Sequence, residues 1–171
     1  MTKNREFGII TLVLYGSLII EADMKIDVSE ANKNKGAAYY FQVSEKLDDS
    51  VLSFVEGKFA GDVHVEGECV AIDRVIEVDG IIKFKVQCLC DLCGTPMEKE
   101  FELELSEDFH LNEAAYGEYA YKGNVVELNK AVEDAIAVGL PLAMHCKPDC
   151  RGVCHKCGKN LNEGDCTCDK E

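Results

Sequence analysis

The spacing of the cysteines constrains this chain more than any other feature of its sequence. Most of the ten cysteines fall into close pairs, which are Cys90/Cys93, Cys146/Cys150, Cys154/Cys157 and Cys166/Cys168. Paired thiolates that converge on one point are typical of a metal site, whereas disulfide frameworks are typical of short secreted chains richer in cysteine. The sequence therefore predicts a metal-binding protein of a reducing compartment, which we expect to be the cytoplasm.

One or two zinc ions would account for these pairs. The first site would consist of Cys90, Cys93, Cys146 and Cys150, and the second of Cys154, Cys157, Cys166 and Cys168. Zn²⁺ is expected because it favours tetrahedral thiolate coordination, and a site filled by protein ligands is structural rather than catalytic. Three alternatives stay open, which are a single site made of Cys90, Cys93, Cys154 and Cys157, a site in which His145 replaces a cysteine, and an iron–sulfur cluster.

A redox role for the Cys90–Cys93 pair is a further interpretation. A thioredoxin-type pair needs the N-terminus of a helix to lower the pKa of its nucleophilic thiol. Here Gly94 and Pro96 follow, and then a stretch with the alternation of a strand. The missing helix argues against a redox pair, so zinc handling or thiol redox chemistry is only the alternative function. We expect the protein not to be an enzyme.

Apolar and polar residues alternate with a period of two from Met24 onward, which predicts antiparallel strands with one buried face. The apolar positions of two such strands are Val63, Val65, Gly67, Cys69 and Ala71, and Phe101, Leu103 and Leu105. The same alternation places Cys69 and Cys88 in the core. Asp79-Gly80 predicts a hairpin turn, because this pair readily takes positive φ. Residues 106–124 lack a clear period and are expected to form a loop or short irregular elements.

One helix is expected after these strands. Asn129 can cap a helix whose apolar residues repeat every three or four positions, and Pro141 marks its end. The predicted fold class is therefore α+β, an antiparallel sheet covered by a helix and followed by a Cys-rich zinc-binding module. We expect residues 24–144 to form the sheet domain and residues 145–171 the module, which is too short to fold without a metal or the main domain.

Residues 1–23 contain the apolar run FGIITLVLYGSLII, which is shorter than the roughly 20 residues of a membrane-spanning helix. The expected interpretation is a start of translation at Met24, because the residues that follow have the pattern of an opening strand. A leader that serves as a signal peptide or anchor is the alternative, and it would imply export and oxidised cysteines.

The formal charge of −14 argues against binding nucleic acid through a general basic surface, because such affinity comes from lysine and arginine. A basic protein is the more natural partner for the acidic part of the chain. The cysteine-rich end differs, because Lys147, Arg151, Lys156 and Lys159 lie close together there. These side chains are candidates for contact with RNA, or for offsetting the negative charge of metal-bound thiolates.

Several of these motifs together resemble a known family. The tail CKPDCRGVCHKCGKNLNEGDCTC has the order Cys-x3-Cys-x-Gly-x-Cys-x2-Cys-Gly, then Leu161-Asn162 and a final Cys-x-Cys. With residues 24–29, Cys90-x-x-Cys93 after a strand and Leu140-Pro141-Leu142 after the helix, the chain resembles the YceD family. This family is also called domain of unknown function 177 or large ribosomal RNA subunit accumulation protein. Leu92 is a departure, since the family often has arginine there.

The resemblance implies a ribosome-biogenesis factor without known catalytic chemistry, which supports the accumulation of large-subunit (23S) ribosomal RNA. The implied partners are the pre-large ribosomal subunit, ribosomal RNA and/or a basic ribosomal protein. We expect no membrane and no small-molecule substrate among its partners.

Overall fold

The structure is a computed structural model that describes residues 20–21, 24–52, 55–112 and 119–168. The two interpretations of residues 1–23 therefore fall outside the described residues, apart from the backbone of Ile20–Glu21. Within the described ranges, no helix is long and apolar enough to cross a membrane.

Strands make up most of the regular secondary structure in the described chain, as the alternation predicts. The strands are β1 (Ile20–Glu21), β2 (Lys25–Asp27), β3 (Ala38–Glu45), β4 (Gly57–Phe59), β5 (Val63–Ile72), β6 (Val75–Leu89), β7 (Pro96–Leu111), β8 (Tyr119–Tyr121) and β9 (Val125–Glu127). The helices are α1 (Ser29–Lys33) and α2 (Asn129–Gly139), and a 3₁₀ helix spans Asp49–Leu52. The expectation of a chain with much sheet and little helix is confirmed.

One sheet contains most of the strands, in the order β1-β3-β5-β6-β7-β8, while β2 and β9 form a separate antiparallel pair. The pairs β3–β5, β5–β6 and β6–β7 are antiparallel, whereas β1–β3 and β7–β8 are parallel. β7 pairs with the whole length of β6, from Val75 to Leu89, and therefore occupies one edge of β6. β4 and β5 share the other edge.

The buried face of the sheet follows the predicted alternation. Val63, Val65 and Ala71 of β5 are completely buried, and the Phe84 ring of β6 stacks on that of Phe101 of β7, with 5.3 Å between their centroids. Cys69 and Cys88 are free and buried among these side chains, so their predicted place in the core is confirmed. The opposite face is polar, because alternate side chains of a strand point to opposite sides.

Helix α2 adds Ala131, Val132 and Ile136 to the same core. Asn129 is the first residue of this helix, although the sequence predicts it as the cap, and its Nδ2 donates to Glu45 Oε2 at 2.7 Å. The side chain therefore ties the start of the helix to β3 instead of capping it. The helix ends shortly before Pro141, as predicted.

The predicted hairpin turn at Asp79-Gly80 is wrong, because both residues lie within β6 and pair with Glu68 and Gly67 of β5. The turn between β5 and β6 lies at positions 73–74, where Asp73 takes a φ of 54°. Gly80 instead serves close approach between strands, since a Cβ on it would lie 2.7 Å from the carbonyl oxygen of Glu66.

The prediction of a loop over residues 106–124 is wrong in part. β7 continues to Leu111, because its last residues pair with β6 as far as Val75 and Phe109 is buried in the core. β8 and β9 begin within or just after the same range, and residues 113–118 lie outside the described chain. Pairing with a distant strand therefore gives regular structure to a segment without a clear period of its own.

Candidate metal centres

The Cys90–Cys93 pair lies in the connection between β6 and β7. The backbone N–H of Cys90 donates to the Thr95 carbonyl at 3.0 Å, and that of Gly94 donates to the Cys90 carbonyl at 2.8 Å. Gly94 has a φ of 69°, in the left-handed region that glycine adopts without a steric penalty. This tight turn, which we call the first knuckle, holds both cysteines in buried positions.

The second knuckle, around Cys154 and Cys157, repeats the same hydrogen bonds. The N–H of Cys154 donates to the Lys159 carbonyl at 2.8 Å, and that of Gly158 donates to the Cys154 carbonyl at 2.8 Å. Gly158 has a φ of 74°. The shared sequence Cys-x-x-Cys-Gly therefore gives the same local structure twice, each time with a pair of thiols.

The first knuckle meets a pair of cysteines from beyond α2. The sulfurs of Cys90, Cys93, Cys146 and Cys150, the first cysteine group, all lie within 4.8 Å of one another. Cys90 Sγ is 3.8 Å from Cys150 Sγ, and Cys93 Sγ is 3.7 Å from Cys146 Sγ. Four sulfurs placed tetrahedrally at about 2.3 Å from a zinc ion would be about 3.8 Å apart. The spacing of this group therefore fits a metal ion.

Asp91 attaches the segment after α2 to the first knuckle. Its backbone N–H donates to the Met144 carbonyl at 2.8 Å, and its carboxylate accepts the N–H of Met144. The N–H of Cys146 then points to Cys90 Sγ at 3.4 Å. Because Met144 is buried in the core, these contacts fix the position of the cysteines that follow it.

The second knuckle meets the last pair of cysteines. The sulfurs of Cys154, Cys157, Cys166 and Cys168, the second cysteine group, also lie within 4.8 Å of one another. Arg151 Nη2 is 2.6 Å from the Asp165 carboxylate, and Lys159 Nζ donates to the Asp165 carbonyl at 2.7 Å. These contacts hold the residue before Cys166, so the segment with Cys166 and Cys168 folds back onto the second knuckle.

The structure does not bring together the residues of the alternative single site. Cys154 and Cys157 lie with Cys166 and Cys168, and not with Cys90 and Cys93. Neither group, as found among the described residues, includes a histidine. His155 is exposed within the second knuckle.

Hydrogen bonds lower the pKa of some thiols in the first group, while desolvation and neighbouring thiols raise the pKa of another. Desolvation raises the pKa of Cys90, but backbone N–H donors led by that of Cys146 outweigh it and lower this pKa to about 6. The pKa of Cys150 is also lowered, by the backbone N–H of Gly152 and the amide of Asn162. Desolvation and the neighbouring thiols raise the pKa of Cys146 to about 12. Thiolates therefore form readily here, but each one opposes the next unless a cation joins them.

The second group likewise contains one thiol with a lowered pKa and one with a raised pKa. Backbone N–H groups of Cys157 and Lys156 lower the pKa of Cys154 to about 6. The hydrogen bond with Cys157, followed by desolvation, raises the pKa of Cys168 to about 12. Clustered thiols of this kind are the ligands that soft divalent ions prefer. Both groups could therefore hold a metal ion.

The candidate RNA-contacting residues surround the second knuckle. Lys147 Nζ lies 3.8 Å from the Asp149 carboxylate, while Arg151 and Lys159 both contact Asp165. All four cationic side chains, including that of Lys156, belong to exposed residues. Lys147, Arg151 and Lys159 therefore contact acidic residues or backbone of the module itself.

The outward side of β5, β6 and β7 is an acidic face. Its carboxylates are those of Glu66, Glu68, Glu77, Asp79, Glu98, Glu100, Glu102, Glu104 and Asp108. Lys83 pairs with Glu66 at 2.5 Å and Lys85 with Glu100 at 2.6 Å, which lowers the pKa of each of these two carboxyls. The remaining carboxylates give the face a strong negative charge.

Sequence reasoning missed the residues that support the two groups. Asp91 carries no signal beyond its place inside the first knuckle, and Asp165 only precedes a cysteine. Asn162 belongs to the tail motif, but the motif does not reveal that its Nδ2 donates to Cys150 Sγ at 3.3 Å. Contacts between segments far apart in the chain define these roles.

The chain is similar to several known proteins. A family model described as large ribosomal RNA subunit accumulation protein YceD matches residues 78–171. An uncharacterised protein of Mycobacterium tuberculosis is 21% identical over 154 residues, which cover 83% of this chain and 72% of that protein. An uncharacterised protein of Mycobacterium leprae is 23% identical over 173 residues, with 94% and 75% covered.

A plant relative has a descriptive name. The chloroplastic large ribosomal RNA subunit accumulation protein YCED homolog 1 of Arabidopsis thaliana is 20% identical over 177 residues, which cover 84% of this chain and 53% of the relative. No solved structure matches the chain.

Proposed function

The chain belongs to the family of the large ribosomal RNA subunit accumulation protein YceD, and we propose that it is a non-enzymatic factor of ribosome biogenesis. In this role it supports the accumulation of large-subunit ribosomal RNA. The observation that carries the proposal is the family match, which includes both cysteine groups. The name of the Arabidopsis relative describes the accumulation of an RNA rather than a reaction, which supports a role in binding.

Zinc is the proposed metal of both cysteine groups, with the eight paired cysteines as its ligands. The all-sulfur donor set supports zinc over the hard ions Mg²⁺ and Ca²⁺, which prefer oxygen. Bound zinc would neutralise the clustered thiolates and join the sheet to the chain after α2. Its role would therefore be structural, in a module of residues 145–171 attached to a domain of residues 24–144.

The proposed partner of the acidic face is a basic ribosomal protein. Glu98, Glu102 and Glu104 are exposed on the outward side of β7, where a lysine- or arginine-rich surface could pair with them. Complementary charge of this kind mainly accelerates association and selects the partner. We infer in addition that α2 covers the other face of the sheet, which would leave the acidic face as the accessible side.

Contact with ribosomal RNA is proposed for the positively charged side chains of the module, which are Lys147, Arg151, Lys156 and Lys159. Exposed ion pairs such as Lys147–Asp149 contribute little to stability, so their cations can exchange an acidic partner for phosphate. The two charged surfaces would then contact the protein and the RNA of one pre-large ribosomal subunit. This would take place in the cytoplasm, without a membrane or a small-molecule substrate.

Co-sedimentation with pre-large-subunit particles tests this function. We expect the purified chain to migrate with the particles at low salt and to dissociate as salt screens the ionic contacts. A variant with Glu98→Gln, Glu102→Gln and Glu104→Gln should bind more weakly. Its matched control has Glu30→Gln, Glu127→Gln and Glu133→Gln, which remove the same charge from α1, β9 and α2, and it should bind as the wild type does.

Two outcomes would overturn the proposal or part of it. Absence of the chain from the particles at low salt would contradict the biogenesis role, and rapid metal exchange or reactive thiols would then favour zinc handling or thiol redox chemistry. Equal weakening by the two triple variants would show that net charge, and not the acidic face, determines binding.

A further inference from the structure

The loop 158–165 separates Cys157 from Cys166 in the second cysteine group, yet its Asn162 contacts the first group. Asn162 Nδ2 donates to Cys150 Sγ at 3.3 Å and to Asn160 Oδ1 at 2.9 Å. The Asn162 Oδ1 accepts the backbone N–H of Arg151 at 3.0 Å. Both polar atoms of this amide are therefore engaged, which fixes the direction of its bond to the sulfur.

Further contacts hold the same loop against the first knuckle. The N–H of Leu161 donates to the Gly152 carbonyl at 2.9 Å, and Asn160 Nδ2 lies 3.4 Å from Thr95 Oγ1. Gly152 itself approaches the first knuckle so closely that a Cβ on it would lie 3.0 Å from the Leu92 carbonyl oxygen. The loop thus connects the second group to the surroundings of the first.

We propose that the loop 158–165 couples the two cysteine groups, so that metal bound by the second group raises the metal affinity of the first. The coupling rests on the proposed metal binding. A metal ion in the second group would join Cys157 to Cys166 and thereby fix both ends of the loop. Asn162 would then be held where its amide donates to the thiolate of Cys150, one of the ligands of the first group.

The expected coupling is a change in metal affinity, whose magnitude and sign follow from the role of this hydrogen bond. A hydrogen bond donated to a metal ligand orients that ligand, and its loss typically costs about 10–100-fold in metal affinity. Freeing the loop by removing the second metal should lower the affinity of the first group within this range. Because coupling between two binding sites is reciprocal, loss of the first metal should lower the affinity of the second group by the same factor.

A double-mutant cycle on the full chain tests the coupling. The variants are Cys166→Ser with Cys168→Ser, which disables the second group, Asn162→Ala, and the combination of both changes. Zinc affinity is measured by competition with a chromogenic chelator. Cysteine alkylation followed by peptide mass spectrometry then reports which group has lost its ion. Thr167→Ala, an exposed change between the two ligands, is the matched control.

The expected result is a loss of about 10–100-fold in zinc affinity at the first group in the Cys166→Ser/Cys168→Ser variant. Asn162→Ala should cause a similar loss, and the combination no further one, while Thr167→Ala should bind as the wild type. An unchanged first group without the second metal would overturn the coupling while leaving the metal proposal intact. Additive losses would overturn the role of Asn162, and a chain that binds no zinc would overturn both proposals.

Discussion

Gly67 and Gly80 face each other across β5 and β6, at a separation that leaves no room for a side chain. A Cβ on Gly67 would lie 2.2 Å from the carbonyl oxygen of Asp79, and one on Gly80 would lie 2.7 Å from that of Glu66. Because both contacts are with backbone, no side-chain movement can relieve them. The two glycines therefore allow β5 and β6 to approach closely in the middle of the sheet.

Gly67→Ala should destabilise the protein for this reason. The added methyl would force the two backbones apart, and we expect the free energy of unfolding to fall by about 1–3 kcal/mol, measured by urea denaturation. Gly139→Ala is the control, since its Cβ would meet the end of the Leu103 side chain at 2.7 Å, which can move. Equal losses in the two variants would contradict this explanation.

The same pair shows where sequence reasoning succeeds and fails for the fold. The alternation along β5, β6 and β7 predicts their strands, because burial of one face imposes a period of two on each strand separately. The Asp79-Gly80 turn is wrong because the register of pairing decides where a hairpin turns, and register depends on two strands together. The turn at Asp73 has no glycine, so it gives no comparable local signal.

For the cysteine groups too, the sequence predicts local structure but not the contacts between separate segments. Each Cys-x-x-Cys-Gly knuckle closes through hydrogen bonds within a few residues, so the sequence alone predicts its form. The supporting contacts of Asp91 with Met144, and of Asn162 with Cys150, join segments that approach each other only in the folded chain. Spacing cannot reveal such contacts. That these cysteines bind zinc stays a prediction.

Asp91→Ala should weaken metal binding in the first group without removing a ligand. The change leaves the Met144 N–H without its carboxylate partner and loosens the segment that carries Cys146 and Cys150. We expect zinc to leave the first group about 10–100-fold faster, followed with a chromogenic chelator. Asp149→Ala, which removes an exposed carboxylate from the same segment, should release zinc at the wild-type rate. Identical rates for both variants would rule out this role for Asp91.

The buried thiol of Cys69 should make stability depend on pH. Burial raises the pKa of Cys69 from its ordinary value of 9.0 to about 11. Between these values the unfolded chain loses the proton while the folded chain keeps it, so this thiol lowers the free energy of unfolding as pH rises.

The contribution of Cys69 can be isolated by comparison with a variant. The stability advantage of the wild type over Cys69→Ala should be constant below pH 9 and should shrink between pH 9 and about 11. Val65→Ala removes a buried side chain of the same strand without a thiol, so its difference from the wild type should not follow pH in this way. A constant difference for Cys69→Ala would show that the thiol does not titrate on unfolding.

Removal of metal should separate a structural role for the cysteine groups from a redox role. Native mass spectrometry with elemental analysis should find zinc in both groups of the wild type and one ion fewer in a Cys154→Ser/Cys157→Ser variant. Chelation should lower the melting temperature and expose the bond after Arg151 to trypsin, because thiolates without a cation repel one another. Cys88→Ala, which changes a core cysteine outside both groups, should keep the full zinc content. A metal-free wild type with its paired cysteines joined as disulfides would reject the zinc proposal and favour export or redox chemistry instead.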